Sequence, residues 1–518
     1  MLAVLSRKIG EVPRALPSYA EAMPTTAPVD SLTPATEVFA DAIRAGARGS
    51  VLRPGDPGYD DARRVWNARI DRRPGLVLRC AGAADVAHAV VTARGHGVEL
   101  AIRSSGHNVA GFAVSDGGLV LDLSHLKRLH VDPAGGRVRA EPGVSWGELD
   151  RATQAHGLAT TGGRISTTGV AGLTLGGGYG WLMRSCGLTV DNLRSVELVT
   201  AEGRLIRASS TENEELFWGL RGGGGNFGVV TSFEFDLHRI GPTVTGGAVF
   251  YPVKQAGELL RFYRAFMASA PDELAALFNV LIAPAAPFVP PHLHGVPVAA
   301  IAVCHAGPVE EARQDLAPLR EAGRPVLDRV GPMPYTVLQR LFDAAGEFGR
   351  CVYGRSGHLA ELGDEVINAL VHHAAGITSP LSIVMISPLG GAVARVPAAE
   401  TAYSRRDAAF SLAVDSVWLD PAESERHMRW TDELWAAVAP FTSGVYVNEL
   451  GDEGRERVRE AYGSAAYRRL VAVKNEWDPT NLFRLNQNIE PSGAGGAHHA
   501  CGERRARSEK TRCQVAPY

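Results

Sequence analysis

The sequence predicts an α+β protein of two folding units, and three observations carry that expectation. Residues 75–104 read strand, helix, strand; the chain after them turns to hairpins and half-buried antiparallel strands; and near Gly241 the texture changes, with more proline and fewer glycine runs. A chain of 518 residues has room for this, since a domain usually holds roughly one to two hundred residues.

In chain order, residues 1–45 begin rich in Pro, Ala and Thr and are expected to be a disordered extension. The apolar residues 2–5 are followed at once by Arg7, Lys8, Glu11 and Arg14, so no signal-peptide core fits. No apolar run reaches the roughly 18 residues of a membrane span. From Gly75, residues Leu76, Val77 and Leu78 read as a strand, residues 83–95 as a helix with Val86, Val90 and Ala93 on one face, and residues 98–104 as a second strand. Ser145-Trp146-Gly147-Glu148 is a capping box, and Gly157 is placed to end its helix. Residues 195–208 read as a hairpin turning at Glu202-Gly203. Phe233, Phe235 and Leu237 then alternate with Ser232, Glu234 and Asp236, the pattern of a half-buried antiparallel strand. The first unit is thus expected over 46–240. A second, over 241–440, has strands at 299–304, 383–387 and 410–418 and helices at 257–268 and 423–439. Its stretch 283–297 holds Pro284, Pro287, Pro290, Pro291 and Pro297 and reads as a surface loop. Residues 491–518 are expected to be a disordered tail, and His498-His499 and Arg504-Arg505 within it receive no role.

Charge and cysteine usage exclude several function classes. Lys+Arg 53 against Asp+Glu 56 leaves −3, no electrostatic grip for nucleic acid. Six scattered cysteines form no CxxC pair, so neither a zinc site nor a disulfide framework is indicated, and a reducing, cytoplasmic setting is expected. His292, His294, His372 and His373 lack a partnering carboxylate or cysteine, and no metal is expected.

Glycine is the compositional outlier: 58 of 518 is about 11%, against a usual share of about 7%. The excess gathers in three clusters, from Arg103 to Gly111, from Gly169 to Gly180, and from Gly222 to Gly228. Glycine serves tight turns and bulges as well, but three clusters in one unit suit backbone amides converging on an anion, with a pyrophosphate the natural candidate. A nicotinamide fingerprint is not met, because Gly176-Gly177-Gly178-Tyr179-Gly180 lacks the GxGxxG spacing. His107, in the turn leaving a strand, adds a group that a phosphate cradle does not require; a neutral imidazole there is a competent nucleophile.

Arg103-Ser104-Ser105-Gly106-His107-Asn108, Gly117-Gly118-Leu119-Val120-Leu121-Asp122-Leu123-Ser124 and the Gly169–Gly180 run resemble the FAD-binding domain of the vanillyl-alcohol-oxidase (PCMH) type. Tyr446-Val447-Asn448-Glu449 and the stretch from Val473 to Ile489 resemble the terminal module of berberine-bridge-enzyme-like oxidases. The resemblance covers about residues 59–490. It implies a PCMH-type fold with an FAD domain made from both ends of the chain, residues 441–490 completing it. It also implies a middle substrate domain whose antiparallel sheet, covered by helices, roofs the isoalloxazine ring.

The resemblance further implies that His107 bonds covalently to the flavin's carbon-8 methyl group, which raises its reduction potential. A second, cysteinyl bond found in many relatives is not expected, since Ile165-Ser166-Thr167-Thr168 holds no cysteine and Cys186 is out of register. Cofactor contacts are implied for Arg103, Ser104, Ser105, Gly106, His107, Asn108, Thr167, Thr168, Gly169, Gly172, Gly176, Gly178, Gly180, Gly228, Val230, Asn448 and Asn488. Tyr446 is the catalytic candidate: alternation puts it and Asn448 on one face of an extended segment. The role implied is deprotonation of a substrate hydroxyl while hydride leaves the adjacent carbon. A phenol of pKa about 10 needs a nearby cation or donors to do this. The expected function is an FAD-dependent oxidase of a small organic molecule, a secondary metabolite by preference, acting on a C–O or C–N bond with dioxygen as acceptor. The alternatives are a flavoprotein that sequesters a reactive drug, which needs no base, and a dehydrogenase that passes electrons to a carrier.

Overall fold

Three main sheets organise the computed structural model, which describes residues 34–493. Strand Leu76–Arg79, helix Ala83–His96 and strand Leu100–Arg103 form the expected unit. Strand Leu119–Asp122 lies between the two strands and parallel to both, with Ser50–Leu52 antiparallel on the edge. The helix ends because Gly97 adopts φ 65°, turning its N–H back onto the carbonyls of Ala93 and Arg94.

One expectation is corrected here. Residues 34–45, read as disordered, belong to a helix, Pro34–Gly46, that buries Phe39, Ala40 and Ile43 against the core of helix Ala83–His96. Composition pointed to disorder, but apolar side chains spaced three and four apart supply a face that tertiary packing rewards. Residues 1–33 and 494–518, including both histidines and arginines of the tail, lie outside the described residues.

The second sheet is five-stranded and antiparallel, in the order Leu129–Asp132, Arg137–Ala140, Val229–Asp236, Leu193–Val199, Leu205–Ser209. The capping box at Ser145 is formed, with Ser145 N–H donating to Glu148 at 2.8 Å. Helix Arg455–Trp477, kinked at Gly463, presses Val458, Ala461, Leu470 and Val473 into the same core as Phe217 and Phe233. The last part of the chain therefore completes the first unit.

The middle of the chain forms an eight-stranded antiparallel sheet. Its order runs Leu327–Asp328, Thr243–Pro252, Pro297–His305, Leu274–Ile282, Ile383–Pro388, Phe410–Trp418, Cys351–Leu359, with Gly331–Pro334 also pairing Thr243–Pro252. Helices Ala256–Ser269, Asp364–Ala374 and Ser424–Val438 cover one face, burying Phe278, Ile301, Leu412 and Val414. The other face turns toward the first unit. Along Phe410–Trp418 the period of two sends Asp415 and Val417 to that inner face; cross-strand pairing puts Ile383, Gly354 and Val352 beside them. Five strands of this sheet, Thr243–Pro252, Leu274–Ile282, Leu327–Asp328, Gly331–Pro334 and Cys351–Leu359, escaped the sequence reading. Both faces of the sheet are covered, which removes the alternation, and glycines interrupt two of the strands. Gly354 is one such residue: a Cβ there would stand 2.3 Å from Asp415 Oδ1. The proline-rich loop at 283–297 contains a single 3-10 turn, Pro291–Leu293, and is pinned by buried Val289 and Leu293.

Candidate active site

The turn after strand Leu100–Arg103 reverses at Gly106, φ 78°, and aims His107 and its neighbours into a cavity of about 450 Å³ between the two units. The glycine clusters meet here. Ser105 Oγ accepts from Gly169 N–H at 2.8 Å, joining the first to the second. Gly169 must be glycine for this approach, since a Cβ would lie 2.5 Å from Ser104 Oγ. The third cluster is held by Asn226, whose side chain donates to Gly223 O (2.9 Å) and Gln487 O (3.2 Å) and accepts from Ile489 N–H (2.9 Å). Behind it, fully buried Lys474 Nζ donates to Asn226 O, Asp478 Oδ2 and Phe483 O.

Of the residues named from sequence, Ser104, Ser105, Gly106, His107, Asn108, Thr168, Gly169, Gly172, Gly228, Val230, Tyr446 and Asn448 line this cavity. Five do not. Arg103 turns away and donates to the carbonyl of Ala62. Gly176 and Gly180 sit behind the wall, where a Cβ would strike Asn448 and Gly162 O, and Gly178 donates its N–H to Tyr446. Asn488 gives way to its neighbours Asn486 and Gln487, which reach the cavity; in the irregular chain after Phe483 no period of two decides the facing. Thr167 stands outside the wall but its hydroxyl meets His107 Nε2 at 3.0 Å.

His107 is half-buried, stacked on Trp66 (centroids 5.4 Å, 20°) with the edge of Phe348 against it. Burial pushes its pKa down to about 4, so the imidazole is neutral near pH 7. Tyr446 is buried against Tyr179, the rings stacked at 3.9 Å. Its oxygen accepts from Gly178 N–H at 2.8 Å and from Asn448 Nδ2 at 2.7 Å. The Asn448 amide is oriented by a further donation to Leu173 O at 3.0 Å. Burial drives this phenol above its usual range, and the two donors pull against it. The segment is not extended as expected: after Tyr446 it winds into a 3-10 turn, Val447–Glu449, and that turn folds Asn448 back onto the tyrosine oxygen.

Sequence reading missed Trp66, Tyr179, Arg164, Asp415 and Glu449, all in the cavity wall. Burial pushes Asp415 up to about 6 and, with Asp415 adding repulsion, Glu449 up to about 7. Asp415 did carry a signal, as the lone charge in the apolar strand Phe410–Trp418.

The wall fits a dinucleotide-sized flavin. Asn486 Oδ1, Tyr462 Oη and Trp66 Nε1 are buried there with no partner, and Gly224, φ 74°, keeps the turn opposite free of side chains. Residues 74–209 match the family described as FAD binding domain, and residues 445–490 that described as berberine and berberine like. Fold and site thus define an FAD-linked oxidoreductase. The chain is 35% identical over 460 residues to (R)-6-hydroxynicotine oxidase of Paenarthrobacter nicotinovorans, covering 86% of this chain and 98% of that one. It is 31% identical to the uncharacterized FAD-linked oxidoreductase YgaK of Bacillus subtilis, covering 86% and 97%. The crystal structure of 6-hydroxy-D-nicotine oxidase from Arthrobacter nicotinovorans superposes with a TM-score of 0.78 at 33% identity, covering 86% and 98%. The chain belongs to the berberine-bridge-enzyme-like family of FAD-linked oxidases.

Proposed function

We propose that this protein oxidises a C–O or C–N bond of a small organic molecule, with flavin attached through His107 and dioxygen as the final acceptor. The observation that carries the reading is the Tyr446 oxygen, which holds two N–H donors within 2.8 Å on the wall of the cavity that also contains His107. FAD held by His107 and the glycine-rich turns would supply the redox chemistry, acceptance of a hydride from the substrate carbon and passage of two electrons to dioxygen with release of hydrogen peroxide.

The chain's own residues do the rest. Donors from Gly178 and Asn448 stabilise the phenolate of Tyr446, which takes the proton from the substrate's O–H or N–H. In the tautomer that carries its proton on Nε2, His107 donates to Thr167 and Nδ1 keeps the lone pair that a bond to the flavin needs. Trp66 and Phe348 fix the ring's orientation. That a relative and a solved structure are both named for the oxidation of 6-hydroxynicotine supports an amine among the substrates. A cytoplasmic location belongs to the same proposal, and cell fractionation against a cytoplasmic marker tests it.

The purified protein, denatured in acid and run on a gel, should keep flavin fluorescence on its band, and His107→Ala should lose it. Tyr446→Phe should slow anaerobic flavin bleaching by the best substrate of a screen roughly 10²- to 10⁴-fold. Bleaching at the native rate removes the base, and stoichiometric binding without turnover would favour a sequestering protein.

A further inference from the structure

The buried arginines of this protein differ in how fully they are paired. Arg406 grips Asp191 through both terminal nitrogens at 2.6 and 2.7 Å and adds Thr401. Arg184 donates to the carbonyls of Leu274, Leu389 and Ala270. Arg164 makes one contact, Nη1 to the thioether of Met385 at 3.4 Å, a weak acceptor. Its Nε and Nη2 are shut off from solvent and have no partner; among the described residues no other arginine has two such nitrogens. These two N–H groups form the side-on fork of the guanidinium, whose spacing matches the two oxygens of a carboxylate. Desolvated donors without acceptors destabilise a fold and persist where a ligand completes them.

Arg164 lines the cavity together with Asp415 and Glu449, and its two unpartnered nitrogens lie just beneath that wall, where a rotation of the guanidinium would bring them to a ligand. Neither carboxylate closes on the fork, and Glu449 Oε2 is itself buried and unpartnered. Between these polar groups the wall is apolar, made by Ile165, Phe342, Val352, Ile383 and Val417. A ligand with a single charge would leave one end of this arrangement unmatched.

We propose, building on the oxidase reading above, that Arg164 is the specificity-determining residue of the substrate site and that the substrate is a small amphoteric molecule. Its apolar body carries a carboxylate, bound by the Arg164 fork, and a protonatable nitrogen, bound by Asp415 and Glu449.

The test uses the flavin-loaded protein without oxygen, titrated with the 2-, 3- and 4-(aminomethyl)benzoates, with benzoate and with benzylamine. Binding is read by calorimetry and by perturbation of the flavin absorption band. At least one aminomethylbenzoate should bind tenfold or more tightly than benzoate or benzylamine. Arg164→Met should erase that advantage and leave benzylamine within twofold, while Arg164→Lys, which keeps charge but not the fork, should fall between. Removing the carboxylates, in Asp415→Asn/Glu449→Gln, should instead bring the best isomer down to benzoate. Equal affinities for all five probes, or affinities unchanged by Arg164→Met, overturn the proposal. Loss of flavin from Arg164→Met also overturns it, since the fork would then belong to the cofactor. A wild-type protein without flavin sinks the oxidase reading alone, because calorimetry still reports the ligand preference.

Discussion

Lys474 is the residue whose replacement tests how the ends of the chain hold the flavin domain shut. Its ammonium group is fully buried and spends its three protons on Asn226 O (2.8 Å), Asp478 Oδ2 (2.7 Å) and Phe483 O (3.0 Å). Burial lowers its pKa and Asp478 resists that shift. In Lys474→Met the methylenes are replaced but the Asp478 carboxylate is left buried, with only the N–H groups of Leu482 and Phe483 on it. Breaking a buried pair on one side costs about 3–5 kcal/mol. Lys474→Met/Asp478→Asn removes the stranded charge, so the double variant should lose about 2 kcal/mol less than the two single losses added together. Urea unfolding measures both quantities, and the visible-to-ultraviolet absorbance ratio of the purified protein reads flavin incorporation, which should fall with the single variant. A loss below about 1 kcal/mol in Lys474→Met, or strict additivity of the pair, would refute the clamp.

Three further outcomes follow from the geometry. Asp150 is buried, accepts only from Gln339 at 2.8 Å, and burial raises its carboxyl to about 7. The folded state therefore holds a proton that the unfolded chain, near 3.9, has released, so stability from this group is lost as pH rises toward 7. Asp150→Asn lacks that loss, and its stability relative to wild type should improve by about 2–3 kcal/mol between pH 5 and pH 8 in chemical denaturation; a pH-independent difference would sink the assignment. Gly169→Ala has an ordinary backbone conformation (φ −73°) but sets its Cβ 2.5 Å from Ser104 Oγ and 2.7 Å from Ser105 Oγ. The variant should lose about 1–3 kcal/mol and part of its flavin, read as the visible-to-ultraviolet absorbance ratio, and an unchanged ratio would contradict the cradle. Asn448→Ala leaves Tyr446 with one donor in place of two, so the bleaching rate should fall roughly tenfold and its pH profile move upward; a profile that does not move would separate Asn448 from the phenolate.

The glycine runs, the His107 turn and the Tyr446 motif were legible in the chain because their chemistry is local: positive φ, close approach and short spacing leave marks within a few residues. The texture change near Gly241 also falls at the start of the middle sheet, whose first strand begins at Thr243. Tertiary structure alone decided the rest. The helix Pro34–Gly46 exists because its apolar face finds helix Ala83–His96, a partner its own sequence does not announce. Asn486 instead of Asn488 reaches the cavity because irregular chain has no fixed facing. Arg164, Asp415 and Glu449 come from three distant segments and share one cavity only once the middle sheet closes over the first unit. A charge in a sequence shows what a residue can bind. Whether it is desolvated, paired or left open to a ligand depends on neighbours hundreds of positions away, and those are set by packing.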